Sequence, residues 1–279
     1  MVEIIAVLII IGVIVIGILA SPILVKQRRN AIKSRPFPPI WTAIIENHLP
    51  IYLQLSPDER RRLLGHIQVF LAEKQFIGCA GLQVTLEMKV TIAAMACLLL
   101  LNERGKYFPK LRSILIYPTT YFVSQTVAKG NYVVEERRDA RLGESWTQDQ
   151  LILSWEQIKK DTNNWQDGHN VVVHEFAHQL DQEDGTANGV PILPLHADYP
   201  VWAQVMTTEY EKLCHDIPRK IKTVMDGYGT TNPAEFFAVA TETFYEKPRQ
   251  LQQHHPELYQ QLQRYYQLDP IHWNDLTSD

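Results

Sequence analysis

Val171-Val172-Val173-His174-Glu175-Phe176-Ala177-His178 decides how this chain is read. A helix turns about 100° per residue, so His174 and His178 fall one turn apart on the same face. Two imidazoles placed this way can both reach one zinc ion at about 2.0–2.1 Å. Glu175 then lies beside a water on that ion, within range to take its proton. A chain of this length shows the HExxH pattern by chance on the order of 1% of the time. The motif therefore needs a third protein ligand to support it, since catalytic zinc takes three and leaves one position for water.

The 279 residues are enough for one generous domain, or one domain with an appendage. With 46% hydrophobic and 21% charged residues the composition is globular and lacks the signature of disorder. A net charge of −4 leaves no basic footprint and argues against a nucleic-acid partner. Cys79, Cys97 and Cys214 are odd in number and far apart, so they form neither a disulfide framework nor a thiolate metal site. That usage favours a reducing compartment.

The N-terminus is of a different kind. From Ile4 to Val25 the chain is apolar apart from Ser21 and Pro22 and carries no charge. About twenty such residues cross a bilayer core as a helix. A cleaved signal peptide has a basic start and a shorter apolar region, whereas this run begins with Glu3 and is too long. Lys26, Arg28, Arg29, Lys33 and Arg35 follow it directly, with no acid before Glu46. Positive charge stays on the cytoplasmic side, which predicts a single pass through the plasma (inner) membrane, N-terminus out and catalytic domain in the cytoplasm. The same cluster can touch anionic headgroups or simply set topology. The chain is accordingly expected to divide into an anchor with its basic flank, residues 1–34, and a domain that carries the HExxH helix, residues 35–279.

Within the second part, Ser56-Pro57-Asp58-Glu59 starts a helix, with Ser as N-cap, Pro in the first turn and Glu completing a capping box. Leu63, Leu64, Ile67 and Phe70 give that helix a core face. A second apolar helix runs through Val90–Leu101, bounded by Lys89 and Glu103-Arg104 and too short to span. Strand-like runs follow at Ser113–Tyr117, Tyr121–Val127, Tyr132–Glu135 and Leu151–Trp155, with turns at Lys129-Gly130-Asn131 and near Gly143. Residues 181–194 are loop-like, with turn dipeptides Asp184-Gly185 and Asn188-Gly189, and the remainder is helical. A small sheet beside several helices is an α+β layout. The run Leu151–Trp155, just ahead of the metal helix, is a candidate to pair with an extended substrate.

Four acids compete to be the third ligand. Asp181 lies three residues past His178 and suits a helix-end or loop-bracing role. Asp198 stands at a spacing some zinc peptidases use, but Ala197-Asp198-Tyr199-Pro200 reads as the start of a helix. Glu235 and Glu242 share a face of a later helix that Asn232 and Pro233 open. Glu235 falls where a capping-box role is equally available, so the residues alone leave the choice open.

His174-Glu175-Phe176-Ala177-His178-Gln179-Leu180-Asp181, the Asn188-Gly189-Val190-Pro191 turn, and Tyr228 followed by Pro233-Ala234-Glu235-Phe236-Phe237-Ala238-Val239 together resemble the Mlc titration factor (MtfA) family of zinc metallopeptidases. Arg35-Pro36-Phe37-Pro38, Ile92-Ala93-Ala94-Met95-Ala96, Ile116-Tyr117-Pro118 and Tyr265-Tyr266-Gln267-Leu268-Asp269-Pro270 extend the resemblance over residues 35–270. The family's core in turn resembles anthrax lethal factor, a gluzincin-like peptidase, which implies a zincin-like fold: a small mixed sheet packed with helices around the HExxH helix. The resemblance implies one Zn²⁺ per chain held by His174, His178 and Glu235, with Glu175 as general base and Tyr228 stabilising the oxyanion. It leaves Glu242 as a supporting acid. It further implies aminopeptidase-like activity on small peptide substrates. An alternative is a regulatory binding protein that sequesters a transcription regulator, as the family does with the repressor Mlc, with zinc serving structure. The apolar N-terminal segment departs from the soluble family members, so that regulator interaction does not automatically carry over.

Overall fold

The computed structural model describes residues 2–102, 106–119, 121–129, 133–141, 143–147 and 149–274. Helix α1 (Val2–Lys33) is followed by α2 (Pro39–His48), α3 (Pro57–Glu73), strand β1 (Gln75–Gly78) and α4 (Leu86–Leu98). Strands β2 (Ser113–Tyr117), β3 (Tyr121–Lys129), β4 (Val133–Arg141), β5 (Gly143–Thr147) and β6 (Gln150–Ser154) come next. Helices α5 (Trp155–Thr162), α6 (Val171–Asp181), α7 (Tyr199–Asp216), α8 (Pro233–Glu246), α9 (Pro248–His254) and α10 (Pro256–Tyr266) complete the chain.

The layout is mixed and helix-rich, as the α+β reading expects. One sheet has the order β1-β2-β6-β5, with β1, β2 and β6 mutually parallel and β5 antiparallel at one edge. β3 and β4 pair with each other in a separate antiparallel ribbon. The turn expected at Lys129-Gly130-Asn131 falls partly outside the described residues, as do Tyr132 and the Glu103-Arg104 boundary.

Local chemistry explains the elements near the site. Ser56 Oγ accepts from Glu59 N and the Glu59 carboxylate accepts from Ser56 N, so α3 opens on the capping box that its sequence spells. α4 starts earlier than its apolar run, because Thr85 caps Met88 N, and it is buried nearly all round. α6 begins where Asn170 Oδ1 accepts from Val173 N. It packs against α4, α5, α8, β5 and β6. Its Phe176 sits in an aromatic cluster, 4.7 Å from the ring of Phe108 and 5.6 Å from that of Phe70. The histidine helix is thus wedged between sheet and helices, with its apolar side in the core.

One expectation is overturned. The run at Leu151–Trp155 is not open to a substrate backbone: β6 ends at Ser154 and lies between β2 and β5, both of its edges bonded. Trp155 belongs to α5, which Ser154 caps through Gln157 N. An apolar run bounded by turn signals reads the same for an edge strand as for a central one. Its central place follows from the parallel pairing with β2, a long-range contact that local sequence does not encode.

α1 holds the apolar N-terminal segment, and residues Ile4–Lys33 are long and apolar enough to cross a membrane. Its last turns are not a loose tether. Ile32 is buried, and the Arg29 guanidinium forms a bidentate pair with Glu73 of α3 at 2.9 and 2.8 Å. The same guanidinium lies 4.6 Å from the ring centre of Tyr107. One member of the basic flank is therefore engaged by the fold.

Candidate metal centre

α6 and α8 face each other, and three of their side chains converge. His174 and His178 present Nε2 atoms 3.2 Å apart. Glu235 Oε2 lies 3.0 Å from His174 Nε2 and 3.2 Å from His178 Nε2. A tetrahedral ion with bonds of about 2.0–2.1 Å separates its donors by about 3.3 Å, so this triangle has the size of one face of such a site. Two imidazole nitrogens and a carboxylate oxygen form a donor set that suits a divalent transition ion. The residues fit a metal.

Backbone placement explains Glu235. Its N–H donates to the Asn232 cap at 3.0 Å, so it occupies the third helical position. Its carboxylate turns toward the histidines. Asn232 caps α8 through Glu235 N, while the Glu235 carboxylate is turned to the histidines and does not take the capping-box role its position offers. Burial opposes charge on Glu235, but hydrogen bonds and charge from His174 and His178 prevail and bring its carboxyl down to about 2.

Glu242, two turns along α8, accepts from His174 Nδ1 at 2.6 Å and from Asn170 N at 2.6 Å. It supports one of the two histidines. Burial works against a charged His174, yet Glu242 and Glu235 raise its pKa well above the usual value. Glu175 is buried, which pushes its carboxyl up against the pull of His174 and His178. Tyr228 follows Asp226, whose side chain accepts from Tyr228 N, and is 55% exposed. Its ring lies 5.9 Å from that of His174, on the rim of the cluster.

The other two acids lie elsewhere. Asp181 closes α6, fully buried, with Oδ2 accepting from Gly189 N at 2.9 Å: it braces the loop. Asp198 stands where α7 begins and is not one of the convergent residues. Sequence reading missed Asp161 and Glu246, which accept backbone N–H groups where α6 starts. For Glu246 a signal exists, since it lies one turn past Glu242 on the same face. For Asp161 none does.

Comparison with known proteins agrees with this geometry. A family model described as "Glucose-regulated metallo-peptidase M90" matches residues 24–267. The "Uncharacterized protein slr2042" of Synechocystis sp. (strain ATCC 27184 / PCC 6803 / Kazusa) is 47% identical over 263 residues, covering 92% of this chain and 96% of that protein. "Mlc titration factor A" of Yersinia pestis (strain Pestoides F) is 29% identical over 239 residues, covering 83% of this chain and 87% of that protein. Its counterpart in Yersinia pseudotuberculosis serotype O:1b (strain IP 31758) matches equally.

Proposed function

The chain belongs to the glucose-regulated metallopeptidase M90 family, and from this we propose that it is a zinc-dependent peptidase held at a membrane by α1. His174 Nε2, His178 Nε2 and a Glu235 carboxylate oxygen would hold the ion. The observation that carries the reading is their triangle of 3.0, 3.2 and 3.2 Å. A bound zinc ion supplies Lewis acidity, polarising the scissile carbonyl and bringing a water's pKa toward 7. Glu175 takes a proton from the attacking water and passes it to the leaving amine. A carboxyl pushed up by burial is better matched to that exchange than an ordinary one. Tyr228 donates a hydrogen bond to the oxyanion that develops on the substrate, and its place on the exposed rim leaves it room to do so.

Residues 1–34 serve as anchor and basic flank, and residues 35–279 as the zincin-like peptidase domain. The positive flank orients the domain to the cytoplasm. Substrates are small peptides or protein segments, with aminopeptidase-like action. The experiment is metal content and cleavage of a peptide library by the full-length chain in detergent, with and without chelator. One zinc per chain and cleavage lost to chelator but restored by zinc are expected. Cleavage indifferent to chelator contradicts the reading.

The name of the Yersinia relatives, Mlc titration factor A, favours a second reading, a binding protein that sequesters a transcription regulator. In that case the centre holds the fold together, and replacing Glu175 leaves the regulator's capture unchanged.

A further inference from the structure

Four consecutive backbone N–H groups at the start of α6 are each held by a buried carboxylate. Gly168 N and His169 N donate to Glu246 Oε2 at 2.9 and 3.1 Å. Asn170 N donates to Glu242 Oε2 at 2.6 Å, and Val171 N to Asp161 Oδ2 at 2.8 Å. Glu246 Oε1 also accepts from Asn170 Nδ2 at 3.2 Å, which orients the amide whose oxygen caps Val173 N. Asp161, Asn170, Glu242 and Glu246 are all buried. The N–H groups at a helix start need acceptors, and here buried acidic side chains of the protein supply them.

Two of these carboxylates share α8 with Glu235. Positions 235, 242 and 246 follow the spacing i, i+7, i+11 and lie along one face of the helix. α8 therefore touches the histidine helix at three levels: Glu235 at the histidine pair, Glu242 at His174 and Asn170, and Glu246 at the turn from Gly168 to Asn170. We infer that Glu246 is a positioning residue for the metal centre: it seats the first turn of α6 against α8 and thereby sets the reach of His174 and His178 toward Glu235. The inference rests on the reading that these three residues hold a metal. Glu246 itself touches neither histidine among its hydrogen bonds, so its effect passes through Asn170 and the helix. Because Asn170 N–H bonds Glu242, which bonds His174, a shift at Gly168–Asn170 moves the ring nitrogen.

The three acceptor bonds of Glu246 predict graded variants. Glu246→Ala removes all of them. Glu246→Asp keeps the carboxyl group but withdraws it by one carbon. Glu246→Gln can still accept both backbone N–H groups but turns its NH2 toward Asn170 Nδ2, replacing that bond with a contact between two donors. Each is made in the full chain in detergent. Zn²⁺ affinity is read by chelator competition, and Co²⁺ substituted for zinc reports ligand geometry through its visible spectrum. Amide hydrogen exchange follows residues 168–171 in metal-free protein. Glu209→Ala is the control, since it breaks another, part-buried contact, between Glu209 on α7 and His255 just ahead of α10, at 2.6 Å.

Glu246→Ala and Glu246→Asp are expected to weaken Zn²⁺ binding about tenfold to a hundredfold and alter the cobalt spectrum. Glu246→Gln is expected to fall between wild type and Glu246→Ala, because both backbone bonds survive while the contact with Asn170 Nδ2 does not. Exchange at Gly168 and His169 rises in the alanine variant. Glu209→Ala lowers the melting temperature and leaves the cobalt spectrum alone. If Glu246→Ala does not fold, Glu246→Asp decides. Wild-type affinity and spectrum in both, even with a lower melting temperature, would overturn the inference. A wild type that binds no zinc overturns the metal reading instead, and the exchange rates at residues 168–171 still judge the seat.

Discussion

Glu242 stands 2.6 Å from Nδ1 of His174, while Nε2 on the opposite side of the ring faces Glu235 at 3.0 Å. A carboxylate at Nδ1 fixes the hydrogen there and leaves Nε2 bare for a metal. The pair also ties α8 to α6 at the level of the centre. Replacing Glu242 tests this relationship separately from the ligand set.

Glu242→Ala frees the tautomer of His174 and strips Asn170 N of its acceptor. Zinc affinity is expected to fall about tenfold to a hundredfold, measured by chelator competition. An unchanged affinity contradicts the role given to this bond.

Gly189 ties the loop after α6 to the start of α8. Its φ is +77°, and a Cβ built there would lie 2.4 Å from the Pro233 carbonyl oxygen. Gly189→Ala meets both a left-handed backbone and a backbone clash, expected to cost about 2 kcal/mol or more. Because Pro233 begins the helix that carries Glu235, zinc binding weakens along with stability. Denaturant unfolding and metal titration of the same sample check both; a stable, fully metallated variant contradicts the argument.

His66 gives a pH signature remote from the centre. Burial pushes its pKa down to about 3, with Lys33 and Arg62 adding to the effect, and its Nδ1 shares a 2.6 Å hydrogen bond with Tyr107 Oη. An unfolded histidine takes up its proton near 6.5, whereas the folded one stays neutral. The unfolded state therefore binds more protons as pH falls below 6.5, and stability drops by about 1.4 kcal/mol per pH unit. The full contribution is present above 6.5. Unfolding of wild type and His66→Gln at pH 7 and 5.5 checks this; the variant is expected to lose that part of the slope, and an equal slope in both contradicts it.

Arg29 and Glu73 join the apolar helix to the domain. Glu73→Ala removes the carboxylate, lowering stability by about 1 kcal/mol or less, as partly exposed pairs do. Limited proteolysis near residues 26–36 is expected to speed up. Unaltered cleavage there means that Ile32 and its neighbours dock α1 without the ion pair.

The parts of the fold legible from the chain were those with local causes. The capping box at Ser56, the Asn232 cap and the apolar spacing of α3 each place a helix through contacts within a few residues. The convergence of His174 and His178 follows from helical spacing. Glu235 stayed undecided between capping box and centre because both roles call on its carboxylate, and only the approach of α8 to α6 shows that carboxylate turned to the histidines. The central place of β6, and Asp161 at Val171 N, come from contacts that cross the chain and leave no local pattern. The docking of Arg29 on Glu73 spans 44 residues and was equally hidden behind a flank that reads simply as positive charge.

The most direct measurement is zinc content and peptide turnover in Glu175→Gln beside wild type. Glutamine keeps the shape of Glu175 but cannot take a proton. One zinc per chain in both proteins is expected, with turnover in the variant reduced by orders of magnitude. A variant that binds zinc and cleaves peptide as fast as wild type would contradict the account.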